Sequence, residues 1–156
     1  MQARRRLRSK SKFRTYYNAA RYIISNLPLF FDLEDLAADV SMKYDLEFGE
    51  ALVLCEVLKE LRETFPGKSS SWFQRAALRA LTVRKVADNV WVVSGFYSLG
   101  DNYTRYAVRY NAKEKKYTCD CFLHFMGRVR EYKICTHIAA VIVYRKMQRR
   151  LSEWIR

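Results

Sequence analysis

The sequence predicts an α+β fold: an N-terminal helical layer, then four antiparallel strands closed by a C-terminal helix. Three observations carry that prediction. Up to about residue 81, apolar residues recur at helical spacing between clear start and stop signals. From Val83 the pattern alternates with the period of a strand, and two hairpin signals follow. Helical spacing then returns at Ile138. Half of the 156 residues are hydrophobic and 15% are aromatic, which marks a globular chain and not a disordered one. A chain of this length buries ~70% of its unfolded surface. No apolar run reaches the ~18 residues of a membrane span, and no signal-peptide core follows the basic start.

The elements can be justified in order. Residues 1–15 read as a flexible basic arm bearing Arg4, Arg5, Arg6, Arg8, Lys10 and Lys12. Its acid-free, Arg- and Ser-rich composition fits a solubilising tail, a phosphate-binding arm or an organellar presequence. A helical region spans 16–81. Its first helix covers 16–27 and is stopped by Pro28. Asp32 is a natural cap for a second, over 32–40. A third, over 46–62, lines up Ala51, Leu54, Cys55, Leu58 and Leu61 and ends at Pro66-Gly67. Val53 and Val57 broaden its apolar face, and Cys55 reads as an ordinary core residue. Ser71 to Gln74 has capping-box spacing and opens a fourth helix running to about Leu81, with Arg75 and Arg79 one turn apart.

A second unit, 82–156, begins with a hairpin of strands 83–86 and 90–94 around Ala87-Asp88-Asn89. A second hairpin joins 103–110 to 116–121 through the turn 111–115, and the closing helix runs from His137 to about Leu151. Parity sorts the third strand cleanly. Tyr106, Val108 and Tyr110 take one face; Tyr103, Arg105 and Arg109 take the other.

Within 119–137 lie three of the four cysteines and both histidines, four of these residues paired as Cys119-Asp120-Cys121 and Cys135-Thr136-His137. This C-x-C-x13-C-x-H pattern supplies four ligands, the number that a closed tetrahedral Zn2+ site requires. On an extended strand Cys119 and Cys121 point the same way. In a regular helix, residues two apart do not share a face, so Cys135 and His137 are expected to straddle a helix start. His124, three residues after Cys121, is the alternative fourth ligand. With four protein ligands there is no open position for a reacting water, so the zinc is expected to be structural. No phosphate-cradling glycine loop occurs among only five glycines. The chain is therefore read as a non-enzyme, and the metal-spaced cysteines suggest a reducing, intracellular setting, in cytoplasm, nucleoid or nucleus.

The motif and its surroundings resemble the SWIM-type zinc finger. Matching features are Trp91-Val92-Val93-Ser94-Gly95, Tyr106-Ala107-Val108, the strand carrying Cys119 and Cys121, and Cys135-Thr136-His137-Ile138-Ala139-Ala140, over about residues 83–147. The resemblance implies zinc bound by Cys119, Cys121, Cys135 and His137. It also implies DNA binding or protein interaction in recombination, repair, transposition or chromatin-linked processes. SWIM fingers of this kind occur in Mutator-type transposases, whose catalytic domain would not fit in 156 residues, and in the Shu recombination complex, where the SWIM subunit binds recombinase paralogues.

Charge supports a polyanion partner. The net charge is +13, but residues 32–63 hold ten acids against three bases. Candidate nucleic-acid contacts are Arg4, Arg5 and Arg6 in the arm; Arg105 and Arg109 on the strand face; Arg128, Arg130 and Lys133 between the ligand pairs; and Arg145 and Arg149 on the last helix, in a stripe with Lys146 and Arg150. No element stands out for reading base edges, so weak sequence preference is expected. Two rival readings remain at this stage. In one, an adaptor grips a recombinase-like protein through acidic helices 32–63; in the other, the three helices around 16–63 form a winged-helix transcription regulator with an attached zinc module. Five glutamates over 46–63, against Lys59 and Arg62, argue against the third helix lying among phosphates.

Overall fold

A computed structural model describes residues 2–121 and 134–151, with side chains from residue 12 onward. Its helices are α1 (Gln2–Asn26), α2 (Leu33–Tyr44), α3 (Phe48–Thr64), α4 (Ser70–Ala80) and α5 (Thr136–Arg150). Strands β1 (Arg84–Ala87), β2 (Val90–Ser94), β3 (Arg105–Asn111) and β4 (Lys116–Cys119) form one antiparallel sheet in the order β1-β2-β3-β4. The α+β architecture and the meander of two hairpins match the expectation.

Several boundaries differ for physical reasons. Helix α1 begins at Gln2, so the segment read as a flexible arm is helical. Nothing before Pro28 breaks a helix, and Gln, Ala, Arg and Lys all favour one. Asp32 does cap α2, its carboxylate accepting from the Glu34 amide at 3.0 Å. The cap of α4, however, is Ser69 and not Ser71: its hydroxyl accepts from the Trp72 amide at 3.4 Å. Gln74, assigned to a capping box, instead donates to the Tyr17 carbonyl at 3.1 Å and ties α4 to α1.

The boundary expected at 81/82 does not separate two cores. Buried apolar residues from Tyr16 to Met147 form one cluster. Helix α4 packs against both α1 and α5, and α5 also meets α3 and strands β2, β3 and β4. Cys55 sits in this cluster, fully buried as expected, and burial pushes its thiol up to about 12. Trp91, Val93, Tyr106, Val108 and Cys119 turn inward from the sheet. Arg105 and Arg109 face outward with Arg84, Lys116 and Thr118. The predicted parity of β3 therefore holds, and among the described residues the helices cover the inward face of the sheet.

The β2–β3 connection starts with a close approach. A Cβ at Gly95 would lie 1.8 Å from the Tyr103 carbonyl oxygen, while the Gly95 amide donates to Thr104 at 2.8 Å. Relief of that clash has to come from backbone, because no flexible side-chain end is in the way. We expect Gly95→Ala to destabilise the fold by about 1–3 kcal/mol or more, read as a lowered urea midpoint at unchanged m-value.

Candidate metal centre

The end of β4 and the start of α5 bring the four predicted ligands together. Cys119, Cys121, Cys135 and His137 are all buried, and their donor atoms lie within 4.8 Å of one another. The cluster could hold a metal ion. His124, the alternative fourth ligand, lies outside the described residues.

The local geometry differs from expectation at one point. The strand stops at Cys119, and Asp120 and Cys121 already turn helically. Asp120 accounts for this turn. One carboxylate oxygen accepts from the Ala107 amide at 3.1 Å, and the other accepts from Arg109 at 3.2 Å. A side chain thus takes the donor on β3 that a longer β4 would have used. The two thiols converge through this turn and not through strand alternation.

On the other side, the expected straddle of a helix start is present. Cys135 is the N-cap of α5, its sulfur accepting from the Ile138 amide at 3.4 Å, and His137 is the second helical residue. A free amide and the positive end of the helix dipole both favour negative charge on that sulfur. Trp72 secures the approach to this cap by donating from its indole nitrogen to the Ile134 carbonyl at 3.2 Å.

The three thiols compete for one negative charge. Hydrogen bonds from Cys119 and Cys135 hold the Cys121 thiol well below its ordinary range, with His137 acting in the same direction. Its hydrogen bonds to Cys121 and Cys135, with burial added, drive Cys119 upward. At Cys135 the contact with Cys119 acts downward, yet the Cys121 hydrogen bond and burial prevail and push the thiol up to about 12. A cation among the sulfurs reverses this order, because a coordinating thiol is deprotonated outright.

Behind the histidine lies a polar group that sequence reading missed. Asp101, on the β2–β3 connection, places Oδ1 3.1 Å from His137 Nε2. The carboxylate of Asp101 is itself gripped by Arg79 of α4, whose Nη1 bonds Oδ2 and whose Nη2 lies 3.2 Å from Oδ1. The Phe96 amide adds a third donor at 2.7 Å. Burial works against charge on Asp101, but the Arg79 hydrogen bonds, the Phe96 amide and the Arg79 and His137 charges outweigh it, holding the carboxyl below its usual range. Arg79 is 1% exposed and Asp101 8%. Arg79 shares its helix face with Ala76 and Ala80, a placement that could have marked it as an inward-facing cation.

The predicted nucleic-acid residues fall into three groups. Arg105 and Arg109 are exposed on the outer sheet face, Arg109 paired with Asp120. Arg145 is already committed: it donates to the Tyr117 hydroxyl at 2.7 Å and lies over Trp91 and Tyr110, at 5.0 and 5.5 Å from the ring centres. Its aromatic neighbours come from strands distant in sequence, so helical spacing alone made it look like part of a surface stripe. Arg149 is exposed, whereas its companions Lys146 and Arg150 bind Glu60, and Arg150 also binds Glu56. The acidic third helix and the basic last helix thus partly neutralise each other within the chain. Arg4, Arg5 and Arg6 lie on α1 without described side chains, and Arg128, Arg130 and Lys133 lie outside the described residues.

Fold and site define an α+β protein with a buried three-cysteine, one-histidine cluster fit for a metal ion. Comparison with protein-family models, curated proteins and solved structures finds no match to this chain. Among the described residues, no helix is long and apolar enough to cross a membrane.

Proposed function

We propose that Cys119, Cys121, Cys135 and His137 hold a structural zinc ion of the SWIM type, and that the zinc-fixed sheet presents a basic face to DNA. The carrying observation is the convergence of four buried donors within 4.8 Å where β4 ends and α5 begins. Tetrahedral zinc with Zn–S bonds of ~2.3 Å needs its sulfurs about 3.8 Å apart, inside the 4.8 Å limit within which the donors lie. Four protein ligands fill the coordination sphere, so the metal orders the chain and performs no catalysis. The role that fits is an accessory factor in recombination, repair or transposition, acting in the cytoplasm, nucleoid or nucleus.

The DNA assignment rests on the outer sheet face. Arg84, Arg105, Arg109 and Lys116 surround Val90, Val92 and Ala107 there, with Asp120 paired to Arg109. These groups have the chemistry to contact phosphates and lack an obvious means of reading bases. If six phosphates are contacted, log affinity falls against log salt with a slope of about −5. We expect Arg105→Glu/Arg109→Glu to weaken a mobility shift on single- or double-stranded DNA at least ~10-fold and to flatten that slope by about 2. A flat salt response in the parent chain between about 50 and 300 mM would count against DNA as the ligand.

A protein-adaptor role is the second reading, favoured by exposed Leu29, Phe31, Met42 and Phe48 in the helical layer. Its acidic anchor is smaller than the residue count of 32–63 implies, since Glu56 and Glu60 already bind α5 and Glu50 binds Lys12 and Tyr16. Under this reading, the arginine reversal leaves the main activity intact.

A further inference from the structure

We infer that Asp101, held by Arg79, is the outer carboxylate of the metal centre and fixes the His137 ring so that Nδ1 is the atom that meets the metal. This rests on the metal reading above and adds residues that the ligand motif does not contain.

The argument begins with the imidazole, which has two different nitrogens. A carboxylate offers only acceptors, so the 3.1 Å contact to Asp101 Oδ1 requires the proton on Nε2. In the neutral ring Nδ1 is then left with its lone pair, buried and without a hydrogen-bond partner of good geometry, His137 meeting the Cys121 thiol beside it. A buried acceptor without a partner is destabilising and calls for explanation. The same side chain belongs to the cluster of three thiols. A cation there satisfies Nδ1 and explains its isolation.

Asp101 is equally well held. Arg79 bonds both of its oxygens, and the Phe96 amide bonds Oδ2. The ring of Tyr106 stacks on that of His137 with centres 4.0 Å apart and planes 20° from parallel, which limits rotation of the imidazole. The Tyr106 hydroxyl in turn accepts from the amides of Asn102 and Tyr103, at 3.1 and 3.2 Å. One tyrosine therefore braces both the histidine and the loop that carries Asp101. Helix α4, the β2–β3 loop and β3 all help aim one nitrogen, and none of them supplies a metal ligand. Outer partners of this type typically change metal affinity by about 10–100-fold.

The full chain, reduced and loaded with zinc, provides the test. With 15N-labelled histidine, long-range proton–nitrogen correlation is expected to show His137 protonated at Nε2 and metal-bound at Nδ1. Metal at Nε2 overturns the inference. Zinc affinity is then measured by competition with a chromophoric chelator. Asp101→Leu is expected to weaken it about 10–100-fold, and Asp101→Asn, which keeps an acceptor for Nε2–H, by less.

Asp101→Leu strands the Arg79 charge and could unfold the chain, so Arg79→Met/Asp101→Leu is compared as well. That double variant replaces the pair with apolar groups and is expected to keep the parent's circular dichroism while binding zinc at least ~10-fold more weakly. Parent-like zinc affinity in a folded double variant overturns the inference alone. A parent chain that takes up no zinc overturns the metal reading, and this inference with it.

Discussion

Removing zinc from the reduced chain is expected to lower its melting temperature by at least ~10 °C while leaving much of its helical signal in place. Apparent binding free energies of structural zinc run to ~10–16 kcal/mol, but part of the fold here has other support. Helices α1–α4 bury a large share of the apolar core, including Tyr16, Leu36, Leu58 and Phe73. A metal held by the cluster would pin β4 and the turn at Cys121 to the first turn of α5. Without it, three buried thiols share one charge and Nδ1 of His137 has no hydrogen-bond partner of good geometry. If only ~5 kcal/mol is lost, a shift of ~2–4 °C per kcal/mol in a chain of this size gives the expected drop. Calorimetry before and after chelation measures it. Cys135→Ser and His137→Ala are expected to reproduce it without chelator. An unchanged melting temperature, with no zinc found by elemental analysis, removes the SWIM reading altogether.

The next largest effect is expected at the ion pair behind the histidine. Arg79→Met leaves the Asp101 carboxylate in the interior with the Phe96 amide and His137 as its remaining partners. Breaking a buried pair from one side typically costs ~3–5 kcal/mol, because an uncompensated charge stays behind. Replacing both members with apolar residues is often close to neutral. The double variant Arg79→Met/Asp101→Leu is therefore expected to be more stable than Arg79→Met alone. Urea unfolding of the two singles and the double closes the thermodynamic cycle. Additive costs would mean that the two side chains act independently, contrary to their contacts.

What was legible in the sequence was chemistry with a local rule behind it. The four-residue cluster that could hold a metal follows from residue type and spacing. The exposure of Arg105 and Arg109 follows from strand parity, and the Asp32 cap from the needs of a helix start. The features that escaped notice depend on which segments meet. Arg79 and Asp101 are 22 residues apart and pair across α4 and the β2–β3 loop. Arg145 is claimed by aromatics from β2, β3 and β4, while Glu56 and Glu60 are claimed by α5. In each case a charge that reads as solvated is engaged by a partner that helical or strand periodicity cannot reveal. The early end of β4 has a similar origin, because the donor on Ala107 is taken by a side chain from within the ligand motif.

The continuous core has a practical consequence. Small metal-binding segments invite treatment as interchangeable beads, to be cut out and grafted onto other chains. Here the closing helix presents Ile138, Val141, Val143 and Met147 to a shared interior, part of it supplied by segments more than fifty residues upstream. A fragment limited to the sheet and its final helix would carry all four candidate metal ligands and still expose a raw apolar flank. Such an excised piece should aggregate unless the upstream helices are supplied in trans.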